Sequence, residues 1–249
     1  MCLSIPHSMD NLTFVKLLES KQSAVFTTQQ LAALLRMDVN SAAVKLSRLV
    51  DKGVLIRVIR GRYTLTSNPI LAVASAIYYP SYVSLLAAFE HYGATTQSPR
   101  IIDVINPIRS GQIPINIETG SFIVRFIKTV RSLMYGYTKT YLGGTMSLIA
   151  EKEKAVVDSL LFLEYIPLDE VAACIKDGID YKKAVEYAVR TKRQTVMKRL
   201  GFLFSKEGIV CSPDDFGTLS KTYVPLDPKL PRKGKHDRKW HVIINRVVE

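Results

Sequence analysis

Apolar positions first recur along this chain with helical spacing. In DNLTFVKLLES, residues 10–20, Leu12, Val15, Leu17 and Leu18 fall on one broad face, as in a first core helix. Phe26 and Thr27 break that pattern. Thr28 then reads as the N-cap of QQLAALLR, whose Leu31, Leu34 and Leu35 keep helical spacing. After the short turn Met37-Asp38-Val39, Asn40 is the expected cap of a third helix, SAAVKLSRLVDK, which stops at Gly53. Val39, Ala43, Leu46 and Val50 form its predicted inward stripe, opposite Ser41, Lys45, Arg48 and Lys52. The following run, VLIRVIRGRYTL, predicts two short strands around Gly61, with Val54, Ile56 and Val58 alternating against Leu55, Arg57 and Ile59.

No charged residue occurs from Thr64 to Phe89, a length that on paper could span a bilayer. Pro80 divides the stretch and serines and tyrosines interrupt it, so two buried helices are the expectation. Beyond it, RIIDVINP, SFIVRFIK, TKTYLGG and TMSLIA are β-rich runs punctuated by Gly and Pro. Helical periodicity returns in EKEKAVVDSLLFLEYI, LDEVAACIKDG, DYKKAVEYAVRTK and RQTVMKRLGFLFSKEG. Residues 229–239 are basic, contain Pro and Gly and read as irregular, before WHVIINRVV resumes as a strand. The fold class is therefore α+β. A winged helix-turn-helix over residues 1–68 precedes a larger mixed α/β domain over residues 69–249.

Composition narrows the picture. With 249 residues and 47% hydrophobic side chains, the chain can bury a large core, and disorder is excluded as its general state. Cys2, Cys174 and Cys211 have neither a disulfide framework's number nor zinc-ligand spacing, and His7, His91, His236 and His241 form no ligand pattern. No cofactor or metal is expected. A secretory signal needs a basic stretch followed by an apolar run, which Asp10 and polar neighbours interrupt; a reducing cytoplasm is the expected compartment, with no membrane.

Charge adds a partner. The chain has 34 Lys plus Arg against 22 Asp plus Glu, a formal net charge of +12, and an anionic partner follows, most commonly nucleic acid. Residues 1–70 hold nine cations and four acids, residues 71–180 nine and eleven, and residues 181–249 sixteen and seven. Two basic regions thus flank a near-neutral middle. In the first, the second helix of a helix-turn-helix presents its cations where recognition helices meet the major groove, and the hairpin arginines lie where a wing touches phosphate or the minor groove. The expected DNA-contacting set is Thr28, Asn40, Ser41, Ala42, Lys45, Arg48 and Lys52, with Arg57, Arg60 and Arg62 on the wing. Ala42 is included because a small side chain permits close approach.

The order GRYTL, PSYVSLLAAFEHYG, IAEKEKAVVDSLLF, RLGFLF, PLDP and KWHVIINR resembles the AbiEi family of type IV antitoxins over nearly the whole chain. The resemblance implies an N-terminal winged helix-turn-helix that represses its own operon on double-stranded operator DNA. It also implies a C-terminal domain that counteracts a companion AbiEii-like nucleotidyltransferase toxin, often in phage defence. The long basic tail departs from the family pattern. Within the shared motifs, Tyr82, Ser84, Leu85 and Phe89 have the spacing of helix packing, and Lys154 with Asp158 that of an exposed i, i+4 pair.

An enzyme is not expected. A metal-dependent nuclease needs an acid two positions before a lysine, and EKEKA places Lys152 before Lys154 and Ala150 before Lys152. The chain also lacks a phosphate-cradling Gly loop and a nucleophile elbow. The alternative is a free-standing winged-helix transcriptional regulator whose C-terminal domain senses a ligand or dimerises.

Overall fold

The computed structural model describes residues 10–247; Cys2, His7 and the N-terminal segment read above as lacking a signal lie outside them. The fold is α+β, and the chain divides into two compact units. The first holds the described residues through Tyr82 with Arg100–Lys128 and Lys139–Ile149; the second holds Val83–Pro99, Thr129–Thr138 and the residues from Ala150 onward.

The first unit begins with α1 (Asn11–Glu19), β1 (Phe26–Thr27), α2 (Thr28–Leu35), α3 (Val39–Asp51), β2 (Leu55–Ile59) and β3 (Arg62–Leu65), the succession of a winged helix-turn-helix. Its core joins Phe14, Leu18, Phe26, Leu31, Leu46, Leu49, Leu55, Tyr63 and Leu65. Three expectations shift by one or two residues. The cap of α2 is Thr27 and not Thr28: the Thr27 hydroxyl accepts from the Gln30 amide while the Gln30 side chain accepts from the Thr27 amide, a reciprocal box that satisfies two free donors. Asp38, not Asn40, caps α3, its carboxylate accepting from the amides of Asn40 and Ser41. The inward stripe of α3 is Ala42, Leu46 and Leu49, while Val39 and Ala43 are exposed and Val50 half-buried. On α1, likewise, Phe14 and Leu18 are buried while Leu12 is 66% exposed.

The wing does not alternate cleanly. Arg57 faces Tyr63 and Ile59 faces Arg62, so Val58 is an extra residue on β2. The bulge turns Val58 inward beside Leu55 and leaves Arg57 in solvent. Gly61, at φ 73°, supplies the left-handed backbone of the turn that β-carbon-bearing residues adopt at a cost.

The chain continues through α4 (Ile70–Ala76), β4 (Tyr82–Val83), α5 (Leu85–His91), β5 (Ile101–Asn106), β6 (Gly111–Ile117), β7 (Gly120–Lys128), β8 (Tyr137–Leu142) and β9 (Thr145–Ala150). The uncharged stretch thus forms two short helices. Among the described residues, no helix is long and apolar enough to cross a membrane. The strands form a six-stranded sheet in the order β6-β7-β5-β4-β9-β8, with β5 parallel and β6 antiparallel to β7. Strand β6, unpredicted, is an edge strand carrying Pro114, a position where the missing amide leaves no ladder bond unmade.

The second unit is mainly helical: α6 (Lys152–Leu161), α7 (Leu168–Lys176), α8 (Tyr181–Arg190) and α9 (Gln194–Lys206), with a small sheet of β10 (Val224–Pro225), β11 (Lys235–Asp237) and β12 (Val242–Ile244). The basic tail is therefore partly regular, because β11 pairs antiparallel with β12. Trp240 is fully buried, its indole nitrogen donates to the Ser205 hydroxyl at 2.7 Å, and its ring lies edge-on to Phe216 at 5.5 Å. Gly201 makes room for it: a β-carbon there would meet the indole at 2.2 Å. Cys174 and Cys211 are free and buried, and burial pushes the Cys174 thiol up to about 12.

Candidate nucleic-acid interface

The cap of α3 sets its entry angle and so the direction of its polar face. Hydrogen bonds from Ser41 and then Asn40 hold the Asp38 carboxyl below its ordinary value. From that start Ser41, Lys45, Arg48 and Lys52 line one surface depression of about 290 Å³, with Met37 and Val44 among its apolar walls. Val44 is 55% exposed. Four polar or cationic side chains and Val44 on one helix edge, with Met37 just before the helix, have the mixture that meets phosphates and base edges together.

The other expected residues divide. Arg57 and Arg60 are exposed on the wing. Among the described residues, Lys45, Arg48, Lys52, Arg57 and Arg60 enter no ion pair with an acid. Asn40 lies exposed in the first turn of α3. Thr28 is turned to the wing, its amide donating to the Gly61 carbonyl at 3.0 Å and its hydroxyl to the same oxygen at 3.4 Å. Arg62 reaches back to donate to the Ile77 carbonyl, with its guanidinium 5.7 Å from the Tyr78 ring centroid. Ala42 is fully buried and presents no surface, because the helix phase puts it on the packed stripe. Its small side chain serves close packing inside the unit.

Tyr78 and Arg109 escaped the sequence reading. Tyr78 meets Arg62 and Arg109 in space, and both Tyr78 and Arg109 are far from the wing in sequence. A faint signal exists in Asn106-Pro107, a turn-forming pair that precedes a basic residue.

The second unit holds a different arrangement of charge. Lys154 and Asp158 form an ion pair with both side chains only 1% exposed, so the expected exposed pair is instead a core feature. The Ser84 hydroxyl donates to Asp158 at 2.9 Å, and Lys154 lies 4.7 Å from the Tyr135 ring centroid. Burial, with Asp158 adding to it, pushes the Tyr135 hydroxyl well above its ordinary value. Nearby, Lys183 pairs with Glu151 at 3.2 Å and Glu153 at 3.5 Å. Leu85 and Phe89 are buried on α5 as expected, while Tyr82 and Ser84, also buried, lie on β4 and at the cap of α5 and not within the helix.

This succession of elements is that of a winged helix-turn-helix whose third helix carries a basic edge. Residues 14–66 match the family described as "Transcriptional regulator, AbiEi antitoxin", in accord with the resemblance read from the sequence. The match runs from α1 to the end of the wing and supports a role as a DNA-binding regulator. In fold, the chain is similar to the RV2827C protein from Mycobacterium tuberculosis, whose crystal structure aligns with a TM-score of 0.62 at 13% identity, covering 92% of this chain and 89% of that one. At that identity the likeness is one of fold alone. Comparison with curated proteins gives no match.

Proposed function

We propose that the protein is the antitoxin of a type IV toxin-antitoxin system, which represses its own operon and counteracts an AbiEii-like nucleotidyltransferase toxin in the cytoplasm. The observation that carries the DNA-binding half is the unpaired cationic edge of α3 within the segment that matches a regulator family. Residues 1–68 would bind the operator and residues 69–249 would supply the antitoxin activity, without catalysis of their own. Ser41, Lys45, Arg48 and Lys52 enter the major groove, while Arg57 and Arg60 contact the backbone from the wing. Arg62, Thr28 and Asn40 act at the margin of that contact, by holding the wing and the start of each helix.

The match stops at residue 66, which equally suits a free-standing regulator. The gene neighbourhood and a rescue experiment separate the two. We expect a nucleotidyltransferase-like gene beside this one, growth arrest when that gene is expressed alone, and relief when this chain is co-expressed. Persisting arrest with the full chain would overturn the antitoxin half, whatever its DNA binding.

A further inference from the structure

A further arginine, Arg109, lies in the loop between β5 and β6. The buried Asn106, at the end of β5, fixes the loop that follows: its side-chain oxygen accepts from the amides of Ile108 and Arg109, both at 2.9 Å, and its nitrogen donates to the Arg109 carbonyl at 3.0 Å. That turn delivers Arg109 to Tyr78. One guanidinium nitrogen donates to the Tyr78 hydroxyl at 2.8 Å, and the group lies 5.2 Å from the ring centroid. Arg62 approaches the same ring at 5.7 Å, and Phe126 meets it edge-on at 5.0 Å.

Two guanidinium groups therefore share one aromatic ring, and neither has an acid partner among the described residues. Arg109 lines a hollow of about 270 Å³ with no carboxylate in its lining, bounded by the wing residue Ile59 and by Tyr78, Ser110 and Gln112. Arg62 is spent on the Ile77 carbonyl and the ring, whereas Arg109 uses one nitrogen on the Tyr78 hydroxyl and is otherwise exposed, its remaining N–H groups open to an anion. The Ser110 hydroxyl and the Gln112 amide add neutral donors. A tetrahedral oxyanion matches this lining: the Arg109 guanidinium forks onto phosphate oxygens, and the hollow admits such a group.

We propose that the duplex-binding surface extends past the wing onto the β5–β6 loop, where Arg109, braced by Tyr78 beside Arg62, takes a phosphate of the DNA backbone. The proposal rests on the DNA-binding reading above. Its source of phosphate is the duplex because the hollow is continuous with the wing through Ile59, whose neighbours Arg57 and Arg60 face solvent. The contact is sequence-independent, so it positions the protein and carries no base readout.

The test uses the full chain and two duplexes, one from upstream of its own gene and one of random sequence, with affinity measured by fluorescence anisotropy across a salt series. Arg109→Gln is expected to weaken binding to both duplexes and to flatten the slope of log affinity against log salt by about 0.9. Arg109→Lys should retain most of the slope, since it keeps the charge. Tyr78→Phe, which keeps the ring and removes the acceptor of the brace, should fall between wild type and Arg109→Gln. Should inorganic phosphate raise the wild-type melting midpoint and Arg109→Gln abolish that rise while leaving affinity and salt slope for both duplexes unchanged, the hollow belongs to a free anion and the duplex contact is overturned. An Arg109→Gln protein with wild-type affinity and slope, while Arg48→Ala binds poorly, overturns this inference alone. Failure of the wild type to bind either duplex overturns the underlying reading with it. Arg109 is exposed, so an unchanged melting midpoint is expected of its variants and is checked alongside.

Discussion

Along α3 and the wing of the first unit, Lys45, Arg48, Lys52, Arg57 and Arg60 enter no ion pair with an acid among the described residues, whereas Arg125 elsewhere in that unit pairs with Asp103 at 2.6 Å. The second unit draws comparable side chains inward. Lys154 meets Asp158 in the core; Lys198 donates to the Ser220 hydroxyl at 2.9 Å and the Thr222 carbonyl at 2.6 Å; Arg199 donates to the Pro225 carbonyl at 3.0 Å. Even the basic tail is partly engaged. Lys239 donates to the Cys211 carbonyl at 2.8 Å, Arg232 to that of Tyr223 at 2.7 Å, and Arg246 pairs with Asp227 at 3.0 Å. Of the sixteen cations of residues 181–249, Lys198 and Arg199 are buried, while most of the others are exposed, as in residues 1–70. Charge density along a sequence is thus a poor map of binding surface, because a cation's role depends on whether the fold gives it a partner.

The comparison can be broken from the core outward. Lys154→Met should cost about 3–5 kcal/mol in urea unfolding, because Asp158 is then buried without its cation. Adding Asp158→Leu should recover much of that loss; a single variant as stable as the wild type would show that the pair is not held in a closed core. At the first unit, Arg48→Ala should leave unfolding unchanged and weaken binding to DNA from upstream of its gene by about 1–3 kcal/mol if Arg48 reads a base. Equal affinity and equal sequence preference would remove Arg48 from the interface. Thr27→Ala should have the smallest effect, a loss of about 1 kcal/mol in stability through the cap of α2, with Thr28→Ala costing less. The reverse order would restore Thr28 as the cap.

What the sequence made legible was periodicity, and what it concealed was phase and partnership. The order of helices and wing in the first unit follows from runs of apolar spacing that any core helix of that length needs. Adjacent Thr27 and Thr28 are both good caps by chemistry, and only the reach of Gln30 decides between them. Val39 and Ala43 share helical spacing with Leu46 as well as Ala42 and Leu49 do; burial chose the stripe with two leucines. For Lys154 and Asp158, an i, i+4 spacing is the same inside and outside a protein, and Ser84, the group that completes the pair, lies seventy-four residues away in sequence. Arg109 was hidden for the same reason, since its partner Tyr78 is reached through the sheet.

The packing of Trp240 against Gly201 has a spectroscopic consequence. The chain contains one tryptophan, and it lies in the second unit with its indole shielded from water and edge-on to Phe216. Its emission is therefore a private reporter of that unit, blue-shifted while the unit is closed and blind to the winged helix. Far-ultraviolet circular dichroism averages over both. Overlaying the two melting curves measures whether the halves lose their structure as one cooperative body or in succession.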